Sequence, residues 1–150
     1  MHRSVIVESE IAVSPERVYE AWTNPSEFVQ WWGDDTYYRI AGGDVEARVG
    51  GKWNVHGIFH KDQVPFTICG EYLRVEPAKT LLFTWHQSWL EGVTTGVEML
   101  IMGLYPSGTL IKVRHMDDPS DELAEGHRAG WLMVLRWMKE YLEAHAPVPS

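Results

Sequence analysis

The sequence predicts an α+β fold in which a curved antiparallel sheet of six to seven strands wraps around one long C-terminal helix. Three observations lead to this prediction. The region from Thr36 to His115 alternates apolar and polar residues, and Gly or Pro breaks recur roughly every ten residues. One strand pattern and two short helix patterns precede this region. A single long helical pattern, near residues 121–145, follows it.

The first strand and the two short helices have clear boundaries in the sequence. Ser4–Val13 places its apolar residues on one face at period two, which is typical of a half-buried strand. Ser14 and Asn24 stand at N-cap positions, and each precedes a proline that opens a helix. The predicted helices are Pro15–Trp22 and Pro25–Trp32. This pair resembles a helix-turn-helix in outline, but the aromatic second helix and the negative net charge of the chain argue against DNA binding.

Short spacing between breaks indicates that the following strands form an antiparallel meander. Gly42-Gly43 is interpreted as a break between strands, and Gly50-Gly51 as a sharp bend or bulge. The predicted strands are Tyr37–Ile40, Val45–Val49, Lys52–Phe59, Phe66–Val75, Thr80–Gln87, Val93–Met102 and Thr109–His115.

The long helix is predicted from Asp121 to His145, a length of about 37 Å that crosses a whole sheet. Acidic residues in its first turns suit the helix dipole. Gly126 and Gly130 are expected to let this helix approach a neighbour closely, at a cost in helix propensity. A sheet that curls around one helix leaves space toward one end, which the two short helices would cover. That space is the expected ligand cavity.

Composition and charge exclude several classes of protein. The chain has 150 residues, which predicts one domain over 1–150, and its net charge of −8 disfavours nucleic acid as a partner. The single cysteine, Cys69, excludes an internal disulfide and a cysteine zinc site. We find no signal-peptide core and no apolar run long enough to span a membrane. We therefore expect a cytoplasmic protein that does not contact the membrane.

Candidate cavity residues are mainly aromatic or flexible apolar side chains at inward-facing positions, although each of them also suits an ordinary core. Adjacent helical residues point about 100° apart, so one tryptophan of the Trp31-Trp32 pair is expected at a cavity mouth or an interface. The candidates are Trp31, Trp32, Trp53, Phe83, Trp85, Met99, Ile111, His115, His127, Trp131, Leu135 and Met138.

The histidines do not predict a metal site. His56 and His60 fall on a strand and a turn, about 13 Å apart, which is too far for one metal ion. His115 and His127 lie at inward positions, where they orient a polar ligand group, act as an acid or base, or serve as core histidines with a backbone partner. Nucleophile, phosphate-loop and dinucleotide motifs are absent from the sequence. We therefore expect no metal and no cofactor, and we assign no catalytic residue.

Segments along nearly the whole chain occur in the order of one family. They include Pro15–Pro25, Trp31–Gly33, Val49–Trp53, Gly70–Pro77, Leu82–Trp85, Gly108-Thr109 and Glu125–Trp131. Together they resemble the activator of heat-shock-protein-90 ATPase-like family of the START-like, or SRPBCC, superfamily. The resemblance implies the helix-grip fold, with a hydrophobic cavity between the sheet and the long helix. The superfamily also contains polyketide cyclases, aromatases, lipid carriers and antibiotic self-resistance proteins.

Three functions are compatible with this resemblance. The first is a binding protein that holds an apolar, aromatic-containing small molecule. The second is a cyclase- or aromatase-type enzyme that uses His115, His127 or a buried carboxylate in the same cavity. The third is a protein that contacts a chaperone through its sheet, but the chain has no room for the second domain that grips the chaperone. A compact acid/base group is not evident, which favours the first function. Sheet edges and surplus tryptophan make a homodimer plausible.

Overall fold

The computed structural model describes residues 3–145, and these form one sheet and three helices. The strands are β1 (Arg3–Ile11), β2 (Tyr38–Val45), β3 (Lys52–Phe59), β4 (Pro65–Glu76), β5 (Thr80–Gln87), β6 (Thr95–Gly103) and β7 (Thr109–Asp118). The helices are α1 (Pro15–Thr23), α2 (Pro25–Trp31) and α3 (Asp121–Ala144). Among the described helices, none is long and apolar enough to cross a membrane.

All neighbouring strands are antiparallel, in the order β1-β7-β6-β5-β4-β3-β2. The first strand therefore pairs with the last one, and β2 forms the opposite edge. Register shifts between Ile40 and Gly42 and between Tyr72 and Arg74 mark bulges, which increase local twist and help the sheet curl. The predicted α+β architecture, with a curved antiparallel sheet and a long C-terminal helix, is confirmed.

The prediction was wrong at Gly42-Gly43, because β2 runs through both residues. A Cβ at Gly42 would lie 2.9 Å from the ring of His56, and one at Gly43 would collide with the backbone oxygen of Asn54. These glycines therefore allow β3 to approach β2 closely instead of ending the strand. The separate strand predicted from Val45 onward is also wrong, since β2 ends there and a turn follows.

Helix α3 begins where the Ser120 hydroxyl accepts a 3.1 Å hydrogen bond from the backbone N–H of Leu123. The helix lies closest to β1 and then to β7. Its second half is tied to the short helices by Tyr141, whose hydroxyl donates to Glu27 at 2.8 Å. Glu27 also forms a two-point ion pair with Arg17, at 3.0 and 2.6 Å. These contacts hold α1 and α2 against α3 from one side.

The two adjacent tryptophans of α2 are both buried. Trp31 is 3% exposed and Trp32 is 1% exposed, and their rings stack with centroids 5.3 Å apart. The expectation that only one of them faces the core was wrong, because α2 ends at Trp31 and Trp32 has an extended backbone that redirects its side chain. Trp22 then links this stack to Phe83 and Trp131, at centroid distances of 6.0 and 5.7 Å.

Gly126 and Gly130 do not serve a close helix approach. A Cβ built at either position would find no atom within 4 Å, because open space lies beside this part of α3. The expectation from the sequence was therefore wrong at both positions. The two glycines lower the helix propensity of α3 without any packing contact that requires them.

We expect Gly126→Ala and Gly130→Ala each to raise the free energy of unfolding by up to about 1 kcal/mol, because alanine favours the helix and meets no neighbour. Urea denaturation measures the change. Gly43→Ala is the control and should destabilise the protein, since its Cβ would strike backbone. A destabilised Gly130→Ala variant would show that α3 does approach a neighbour there.

Candidate functional site

A pocket of about 160 Å³ lies between the first half of α3 and strands β2–β5. Most of its wall is aromatic or aliphatic, and two polar side chains, Gln87 and His127, lie together in it. The full lining consists of Tyr38, Phe59, Ile68, Trp85, Gln87, Trp89, Gly126, His127, Gly130, Trp131, Met133 and Val134.

Simple periodicities bring the central wall residues together. Strand β5 buries alternate residues, so Trp85 and Gln87 share the inward face with Phe83. On α3, His127 and Trp131 are four residues apart and therefore lie on one face. The rings of Trp85 and Trp131 pack against each other in the pocket wall, with their centroids 5.3 Å apart.

The amide of Gln87 has a defined orientation. Its Oε1 accepts a 3.0 Å hydrogen bond from Nε1 of Trp85, and an indole N–H only donates. The atom facing Trp85 must therefore be the oxygen. Nε2 of His127 contacts the same Oε1, so this nitrogen carries a hydrogen and donates. Gln87 is 9% exposed, so nearly all of this arrangement is shielded from water.

His127 also contacts a buried carboxyl group on β7. Its Nδ1 lies 2.7 Å from Oδ1 of Asp118, and one proton is held between these atoms. Burial raises the pKa of Asp118, and the adjacent His127 opposes that rise. Asp118 Oδ2 is buried and has no hydrogen-bond partner among the described residues. A carboxyl group on the far nitrogen of a histidine is the arrangement that orients an imidazole for polar recognition or proton transfer.

His115 is neutral for reasons of geometry. Nε1 of Trp131 donates to its Nδ1 at 2.9 Å, so the hydrogen of the ring must lie on Nε2. Nε2 donates to the hydroxyl of Thr95 at 2.7 Å, and that hydroxyl donates to the backbone oxygen of Trp85. Burial, together with the His127 ring stacked 3.8 Å away, lowers the pKa of His115 to about 2.

His115, Asp118 and His127 form a cluster that sequence reasoning missed. Each offers one metal-ligand atom, and these atoms lie within 4.8 Å of one another. Both ring nitrogens of His115 are already used, however, so a metal ion would have to displace Trp131 or Thr95. The absence of a metal therefore stays a prediction. Asp118 was missed because the last strand was predicted to end at His115, although β7 continues to Asp118.

Of the twelve candidate cavity residues, the structure brings three to the pocket: Trp85, His127 and Trp131. The other nine do not line the pocket; they are at most 4% exposed and lie in the packed interior between the helices and the sheet. They are Trp31, Trp32, Trp53, Phe83, Met99, Ile111, His115, Leu135 and Met138. The sequence did contain a signal for Gln87, which has the same inward parity as Trp85.

We expect stability to fall as the pH falls below about 6.5, because the unfolded chain then protonates His115 and the folded protein does not. This histidine alone contributes a slope of up to about 1.4 kcal/mol per pH unit, continuing toward its folded pKa. His115→Gln retains an acceptor for Trp131 and a donor for Thr95 without titrating. The free energy of unfolding of this variant, measured by urea denaturation, should depend less steeply on pH than that of the wild type. Equal pH dependence in the two proteins would mean that His115 is protonated in the folded protein.

The comparison with protein families identifies one match across most of the chain. The family model for Activator of Hsp90 ATPase homolog 1-like protein matches residues 12–143. A comparison with curated proteins gave no match.

Solved structures show the same fold at low sequence identity. The AHSA1-like protein from Aeromonas hydrophila is 24% identical, with a TM-score of 0.80 over 99% of this chain and 100% of that one. A Nitrosomonas europaea protein is 21% identical, with a TM-score of 0.79 over 94% of each chain. DynU16, from the dynemicin biosynthetic locus, is 23% identical, with a TM-score of 0.72 over 93% of this chain and 47% of that one. The chain therefore belongs to the Activator of Hsp90 ATPase homolog 1-like family and has the helix-grip fold of the START-like superfamily.

Proposed function

We propose that the protein binds a flat, apolar small molecule in the pocket between α3 and β2–β5. The observation that carries the proposal is the largely aromatic pocket beside the first half of α3, whose lining includes Gly126 and Gly130. Gly126 is exposed, but Gly130 is half-buried and a Cβ built there meets no atom within 4 Å. Glycine at 130 therefore lowers the helix propensity and leaves room for a ligand.

The composition of the wall supports a flat ligand. Trp85 and Trp131 form one side, while Phe59 and Trp89 form an edge-to-face pair with centroids 5.2 Å apart. Trp89 is 47% exposed, so it stands where the pocket meets solvent. Aromatic rings offer large rigid faces for stacking a planar molecule. The volume of about 160 Å³ suits a ligand of one or two rings, below the roughly 300–1,000 Å³ of drug-sized sites.

A cyclase- or aromatase-type enzyme is the second candidate, and the His127–Asp118 pair at the pocket wall favours it. DynU16, which is similar in fold, comes from a biosynthetic locus, and this connects the fold with small-molecule chemistry. Binding ranks first because His127 Nε2 already donates to Gln87 and has no lone pair to accept a proton. The homodimer stays a prediction, and contact with a chaperone stays the third function that the sequence leaves open.

We expect Gly130→Leu to weaken the binding of indane, a two-ring hydrocarbon, by roughly tenfold or more, because the leucine would occupy space that the ligand buries. Titration followed by protein NMR measures the affinity. Arg128→Leu is the control, since it adds the same side chain at an exposed position of the same helix. Wild-type affinity in Gly130→Leu would contradict the proposed pocket.

A further inference from the structure

The following inference rests on the proposed function and specifies the class of ligand. We infer that the pocket selects apolar ring compounds that carry a hydrogen-bond acceptor oxygen, such as a ketone, and that the Gln87 amide nitrogen binds this oxygen. The site lies where β5 ends, beside the first half of α3.

The neighbours of Gln87 determine which end of its amide is available. Trp85 Nε1 and His127 Nε2 both donate to Oε1, and a carbonyl oxygen has two lone pairs. The acceptor end of the amide is therefore fully used by the protein. The NH₂ end lies on the other side of the same planar group and is the part left for a ligand.

The NH₂ group of Gln87 lacks a partner of its own. Within residues 3–145, Nε2 of Gln87 makes no hydrogen bond, although the residue is nine-tenths buried and lines the pocket. Nε2 is not among the fully enclosed unpaired atoms of the described residues, so a molecule in the pocket can reach it. A hydrocarbon in the pocket strips water from this donor at a cost, whereas a ligand oxygen that accepts from it avoids that cost.

The other polar atoms of the wall also favour an acceptor on the ligand. Trp32 Nε1 donates to the hydroxyl of Tyr38 at 3.3 Å, so this hydroxyl keeps its own hydrogen for donation. The carboxyl group of Asp118 lies behind His127, on the Nδ1 side of the ring. Of these groups, the Gln87 NH₂ and the Tyr38 hydroxyl keep hydrogens to donate, and both lone pairs of Gln87 Oε1 are used by the protein.

The test compares 1-indanone with indane, which has the same ring system without the ketone. We expect the wild type to bind 1-indanone roughly fivefold more tightly, the effect of one net neutral hydrogen bond. Gln87→Glu keeps oxygen acceptors for Trp85 and His127 but removes the NH₂ group. This variant should lose the preference for the ketone while it still binds indane.

Two further variants make the result interpretable. Gln63→Glu introduces the same charge in an exposed turn and should keep the full preference. Gln87→Met is neutral and similar in shape, so it replaces Gln87→Glu if the buried charge prevents folding, which circular dichroism detects. The carbonyl ¹³C signal of bound 1-indanone should move toward its hydrogen-bonded position in the wild type and not in the Gln87 variants.

The possible outcomes separate the two proposals. Loss of the ketone preference at Gln87 alone supports the inference. Equal binding of both compounds by the wild type, or a preference that survives in the Gln87 variants, overturns the inference while the proposed pocket stands. If neither compound binds the wild type, the proposed function is overturned as well.

Discussion

The structure depends on one geometric constraint, which is that a single long helix must cover a curved sheet of seven strands. Helix α3 lies closest to β1 and β7, and β2 forms the opposite edge of the sheet. Large side chains fill the interior between the sheet and the helices, and seven of the eight tryptophans of this chain are buried there. Beside the first half of α3 the filling is incomplete, and the pocket remains there.

Tryptophan also determines the polar chemistry of this interior. An indole N–H only donates, so each buried tryptophan requires an acceptor and thereby fixes the orientation of its partner. Trp131 donates to Nδ1 of His115, so this histidine is neutral and carries its hydrogen on Nε2. Trp85 donates to Gln87, so the amide oxygen of Gln87 faces the Trp85 indole. The NH₂ group of Gln87 is left unpaired in the pocket because the Gln87 oxygen accepts the hydrogen bond that Trp85 requires.

The sequence predicts the elements well and the site poorly, for different physical reasons. Period-two alternation and one long helical stripe identify the inward faces, so the predicted helix over 121–145 differs by one residue from α3. They do not show how far each strand lies from the helix, which decides between core and cavity. Asp118 was missed for a local reason: Asp117 has a positive φ of 66°, so alternation breaks and Asp118 turns inward three residues after His115.

The most direct test of the account is to locate a bound ring compound by intermolecular nuclear Overhauser effects on the intact protein. With indane bound, the account predicts contacts to the α-hydrogens of Gly126 and Gly130 and to the rings of Trp85 and Trp131. Contacts confined to the outer face of the sheet, where Leu73 is exposed, would contradict it, because the space beside α3 would then have no ligand to hold.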